Sequence, residues 1–105
     1  MAWRRLLPVA EVPEGTARTV RLGTDHVLVC RLASGQFHVL EDVCSHDDAP
    51  LGDQELSDGC VTCPRHGAQF DVATGEVRRS PAPVGIEAFP ARITDDRWVE
   101  VDWEE

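Results

Sequence analysis

Two cysteine–histidine pairs constrain this chain more than any other feature. Cys44-x-His46 is followed, after sixteen intervening residues, by Cys63-x-x-His66. Two thiolates and two neutral imidazoles make a complete tetrahedral donor set. Each pair sits among turn-forming residues, so the fold must bring two separate loops to one point. The chain has only four cysteines and four histidines, and chance is a poor account of two such pairs. The set suits one structural Zn²⁺. It also suits a two-iron centre with the thiolates on one iron and the imidazoles on the other, although zinc sites are the commoner kind. Spacing alone leaves both open.

The remaining bounds narrow the setting. At 105 residues the chain is expected to form one domain, residues 1–105, that buries about two thirds of its unfolded surface and gains from a metal staple. An apolar share of 42% excludes a disordered chain. No run reaches the ~18 apolar residues of a membrane span. The opening "MAWRRLLPVAEVPEG" has too short an apolar stretch for a secretory signal. The expected location is therefore the cytoplasm, where cysteines serve as ligands rather than in disulfides. The net charge of −9, from 10 basic and 19 acidic residues, excludes a nucleic-acid partner that needs a basic face. Every basic residue is arginine, and lysine, asparagine and tyrosine are absent.

The patterning is β throughout. "TVRL" (19–22), "HVLVCRL" (26–32) and "QFHVLE" (36–41) are short β-branched runs. Gly23-Thr24-Asp25 and Ala33-Ser34-Gly35 separate them as hairpin turns would. "RWVEVDW" alternates, with Val99, Val101 and Trp103 on one face and Glu100 and Asp102 on the other, after a turn at Asp95-Asp96. Such alternation marks an antiparallel strand with one wet face. "VAEVPEGT" (9–16) has room for one helical turn before Pro13. The predicted fold is all-β: a small antiparallel β-sandwich or barrel base. A loop-rich, metal-binding insertion of about residues 42–84 interrupts it.

"CSHDDAPL" and "CPRHGAQFDVATGE" resemble the two boxes of Rieske 2Fe–2S proteins, and more narrowly the Rieske-type ferredoxins of multicomponent aromatic-ring dioxygenase systems. The likeness extends through "VAEVPEGTARTV", "GQFHVLEDVCSH" and "SPAPVGIEAFPARI". It implies one 2Fe–2S cluster, with Cys44 and Cys63 on an inner iron and His46 and His66 on an outer, solvent-facing iron. It also implies that "SPAPV", with Pro81 and Pro83, covers the cluster from a third side. Neutral imidazoles in place of thiolates leave the cluster less negative and readier to accept an electron.

Two departures set the expected potential. High-potential Rieske proteins of quinol-oxidising complexes carry an extra disulfide between the boxes; here Asp47, Asp48 and Arg65 stand in that region. They also place Ser and Tyr hydroxyls where this chain has Ala68 and Phe70. Without those donors the resemblance implies the low end of the Rieske range, ~−150 mV. Arg65 is a solvated side chain, or a docking or potential-tuning charge. Cys30 and Cys60 read as buried strand residues, and His26 and His38 as structural or exposed ones.

No histidine follows His66, so a second iron with two histidines and a carboxylate has no ligands there. The chain reads as an electron carrier rather than an enzyme. The resemblance implies a flavin-dependent NAD(P)H reductase and a terminal ring-hydroxylating oxygenase as partners. Asp42, Asp47, Asp48, Asp53, Glu55 and Asp58 are either a solvated face or a docking rim for basic partners. The apolar surface around Pro50, Leu51 and Pro81 is the other docking candidate. Two further readings stand beside the carrier: the small Rieske subunit of a nitrite reductase, and a zinc-stapled binding module.

Overall fold

The computed structural model describes residues 2–45, 49–65, 67–80, 82 and 84–103. Among them run β1 (Trp3–Pro8), β2 (Thr16–Leu22), β3 (Asp25–Arg31), β4 (Phe37–Glu41), β5 (Gln54–Glu55), β6 (Cys60–Thr62), β7 (Gln69–Asp71), β8 (Val77–Arg79), β9 (Ala88–Phe89), β10 (Ala91–Ile93) and β11 (Trp98–Asp102). The expected helical turn is there as a short 3₁₀ turn, Val9–Glu11. The all-β expectation holds, and every strand pairing is antiparallel.

The strands form three sheets. β5-β2-β3-β4-β9 is the central one, β1-β11-β10 joins the two ends of the chain, and β6-β7-β8 carries the second cysteine pair. The β2–β3 hairpin closes with Leu22 opposite Asp25, so its turn is the two residues Gly23-Thr24 rather than three. Gly23 takes a φ of 62° there, the left-handed conformation that such tight turns require. β2 begins at Thr16, earlier than "TVRL" predicts, because Thr16 and Ala17 also pair with β5. Thus Gln54–Glu55, inside the loop-rich stretch, joins the central sheet.

The central sheet is buried on both faces. Successive side chains of a strand point to opposite sides. Val27 and Val29 of β3 and Val39 of β4 join Leu7, Val12, Val99 and Val101 in one core, between the central and terminal sheets. Leu28, Cys30 and Leu40, the alternate positions, join Val61, Phe70 and Val72 in a second core, towards β6-β7-β8. That is why β3 reads "VLVC" without polar alternation. β11 borders only the first core, and its Val99 and Val101 are buried as its period-two pattern requires. The second core also contains Cys44 and Cys63.

Candidate metal centre

The two cysteine loops are built alike. Cys44 comes three residues after β4, and its amide donates to the carbonyl of Ala49 at 2.8 Å. Cys63 comes directly after β6, and its amide donates to the carbonyl of Ala68 at 2.7 Å. In both loops the amide of the cysteine returns to the residue five positions on. In the second loop the Gly67 amide also donates to the Cys63 carbonyl at 3.0 Å, with Gly67 at φ 77°. His46 and His66 fall within these loops by sequence and lie outside the described residues, as do Asp47, Asp48, Pro81 and Pro83.

Cys44 and Cys63 are buried together among Leu51, Ala68, Phe70, Ala82 and Ile86. No disulfide joins the four cysteines. Two buried sulfur donors from two similarly closed loops, in one apolar core, fit a metal–sulfur centre. Ala82 and Ile86 bring the exit segment into that core, and the Ser45 hydroxyl donates to the carbonyl of Val84. The first loop is therefore tied to the third segment that the resemblance places over the cluster.

Side-chain brackets hold the loops in register. Asp42 accepts the amides of Leu51 and Gly52 on Oδ1, both at 3.0 Å, and the Thr19 hydroxyl on Oδ2 at 2.8 Å. It closes the base of the first loop onto β2. Gln54 links the two loops: its Oε1 accepts the Thr62 amide at 2.8 Å, and its Nε2 donates to the carbonyls of Leu51 and Thr62. Asp53 accepts the Thr19 amide at 2.8 Å.

These contacts correct the reading of the acidic loop. Asp42 is buried, so it is not a freely solvated carboxylate or a simple docking charge, whereas Asp53 is exposed and accepts the Thr19 amide. Leu51 is buried in the metal-side core, so it cannot serve the apolar docking surface, whereas Pro50 is exposed. Arg65 is exposed. Cys30 is buried, and burial pushes its thiol up to about 12, with the Asp42 charge as the second cause. Burial also raises the Cys60 thiol. His26 is exposed and His38 half-buried, both in strands. The brackets Asp42, Thr19, Gln54 and Ser45 were not singled out from the sequence as structural residues. The one available signal was Asp42 itself, a carboxylate two residues before a ligand-type cysteine at the end of "HVLEDVC".

The family model for the Rieske [2Fe-2S] domain matches residues 2–90. The chain belongs to that family. The match selects a 2Fe–2S cluster over the zinc centre that the ligand spacing had left open. Within the Rieske family, the chain is similar to the 3-phenylpropionate/cinnamic acid dioxygenase ferredoxin subunit of Shigella flexneri serotype 5b (strain 8401). The two are 36% identical over 87 residues, which cover 82% of this chain and 80% of the relative. Among solved structures, this Rieske chain is similar to the Sphingomonas yanoikuyae B1 ferredoxin, with a TM-score of 0.88 at 31% identity, covering 98% of this chain and 100% of that one. It is also similar to a chain from the complex of reduced oxygenase and oxidized ferredoxin in carbazole 1,9a-dioxygenase, with a TM-score of 0.83 at 31% identity, covering 94% and 91%. Among the described residues, no helix of this Rieske chain is long and apolar enough to cross a membrane.

Proposed function

We propose that this chain is the ferredoxin component of a multicomponent aromatic-ring dioxygenase system. It passes single electrons from a flavin-dependent NAD(P)H reductase to a terminal non-haem iron oxygenase. The observation that carries the reading is the pair of like-built loops that bury Cys44 and Cys63 in one core. The likeness to dioxygenase ferredoxin subunits over most of both chains supports it.

Cys44 and Cys63 would hold the inner iron and His46 and His66 the outer one, within a cluster-binding part of about residues 42–84. The cluster supplies a one-electron couple between the two proteins. The chain's own residues do the rest. The apolar side chains of Leu51, Ala68 and Phe70 keep water from the sulfur side, and Asp42, Gln54 and Ser45 fix the loops so that little rearranges when charge changes. A rigid, dry site keeps the reorganisation cost of electron transfer low.

Iron and sulfide analysis together with EPR of the reduced protein tests the ligand set. Cys44→Ser and Cys63→Ser should each lose the cluster, because two loops closed on themselves have no other metal-side link of comparable strength. Full cluster content in either variant would remove that residue from the set. Stopped-flow mixing with the reductase and then the oxygenase tests the carrier role. A cluster that is reduced but never reoxidised by the oxygenase would overturn it.

A further inference from the structure

Among the described residues, Asp42 is the one buried charged side chain. It stands two residues before Cys44, and its three donors come from Leu51, Gly52 and Thr19. None of the ion pairs among the described residues involves it. A carboxylate held in this way is a fixed negative charge at the base of the first cysteine loop, in a region that salt screens poorly.

We propose that Asp42 tunes the cluster as well as positioning its loop: its charge holds the reduction potential down, and its two amide contacts hold the first loop closed. Reduction adds one negative charge to the cluster. A nearby buried carboxylate opposes that addition more than it opposes the oxidised state, so the reduced form is disfavoured. The charge is already felt in the same core, where it is the second cause, after burial, of the raised Cys30 thiol. Thr19 modulates the effect, because its hydroxyl places the positive end of a dipole on Oδ2.

The inference rests on the 2Fe–2S reading above. A preparation without iron and sulfide would fail that reading first, whereas a loaded protein with an unmoved potential fails only this inference. The experiment is protein-film voltammetry at pH 8, in low and high salt, on the cluster-loaded chain. Asp42→Asn keeps an acceptor oxygen for Leu51 and Gly52, and its amide can donate to Thr19. The expected result is an upward shift of potential that survives high salt, with cluster content unchanged. Thr19→Val removes the hydroxyl dipole, keeps the shape and should shift the potential downward. A loaded Asp42→Asn with the parent potential would overturn the proposal and leave Asp42 as a loop clasp alone. If Asp42→Asn fails to load, Thr19→Val decides: a downward shift supports the proposal, and an unmoved or raised potential overturns it.

Discussion

The amide of Ile86 donates to the carbonyl of Gly75 at 2.8 Å, and a Cβ on Gly75 would stand 2.0 Å from the carbonyl oxygen of Ile86. The approach is mutual, since a Cβ on Gly85 would stand 2.6 Å from the Gly75 oxygen. Two glycines thus let the exit segment lie directly on the chain beyond the second cysteine loop. Gly75 also takes a φ of 79°. Gly75→Ala therefore meets both a backbone clash and a left-handed conformation, and should cost at least about 2 kcal/mol. Denaturant unfolding of the loaded protein would measure it, and the variant should release iron faster. A change within about 0.5 kcal/mol, the usual range for surface substitutions, would contradict the close approach.

Gln54 offers a second test of loop register. Gln54→Ala leaves the Thr62 amide without its acceptor and removes the donor to Leu51. A lost partner for a part-buried backbone group costs about 1–3 kcal/mol. Unfolding should register that loss, and the EPR spectrum should broaden as the two loops gain freedom. An unchanged midpoint and spectrum would mean that water replaces Gln54 fully.

The alkaline limit of stability should report Cys30. Its thiol is raised to about 12 in the folded chain, against about 8.5 for an ordinary thiol. The unfolded chain therefore gives up this proton first. The stability is fully present below about pH 8.5 and is lost as pH rises towards the folded value, by at most about 1.4 kcal/mol per pH unit. The chain has no lysine or tyrosine in this range, and the raised Cys60 thiol is common to parent and variant, so the difference between them isolates Cys30. Cys30→Ala should lower stability near neutrality by removing buried atoms, yet flatten its decline between pH 9 and 12. Parallel curves for the two proteins would count against the assignment.

Ala68 and Phe70 are fully buried beside the cysteines and have no hydroxyl to offer. Voltammetry at neutral pH should place the couple near the low end of the Rieske range, ~−150 mV. Ala68→Ser should raise it by adding a donor. Phe70→Tyr should raise it only if the packed core admits the new hydroxyl, so the serine variant is the cleaner test. A parent potential near the top of that range, ~+300 mV, would contradict the argument.

Docking has two separable contributions. If charge steers the reductase, reduction should slow as salt rises and the Debye length falls from ~10 Å at 0.1 M to ~3 Å at 1 M. The charge test belongs to Asp47 and Asp48 together, because Asp53 holds the Thr19 amide and its loss would disturb the fold. An apolar contribution should come from Val84, which is 61% exposed while its carbonyl is held by Ser45. Val84→Asp should slow transfer to the oxygenase and leave the EPR spectrum unchanged. Rates indifferent to salt and to both changes would place docking elsewhere.

The base strands were legible because they are long enough to show a pattern. β11 announces its buried face through Val99 and Val101, and β3 announces burial on both faces through an unbroken apolar run. β5 to β10 have two or three residues each, too few for a period to appear. The cysteine pairs were legible because ligand chemistry restricts residue type and spacing. The brackets were not. Asp42 and Asp58 look alike in sequence, and only the tertiary approach of Leu51, Gly52 and Thr19 turns Asp42 into a clasp. Leu51 was misplaced for the same reason: an apolar residue in a polar loop does not reveal which side of the loop faces inward.

The central sheet, buried on both faces, acts as a party wall. On one side, valines and leucines from both ends of the chain pack against the valines of β3 and β4. On the other, the packing closes around the sulfur atoms of Cys44 and Cys63. Oxidative loss of iron would strip the second room and leave the first furnished. The demetallated chain would then be half a protein rather than a coil, with β3 and β4 still holding the wall against which a new cluster can be assembled.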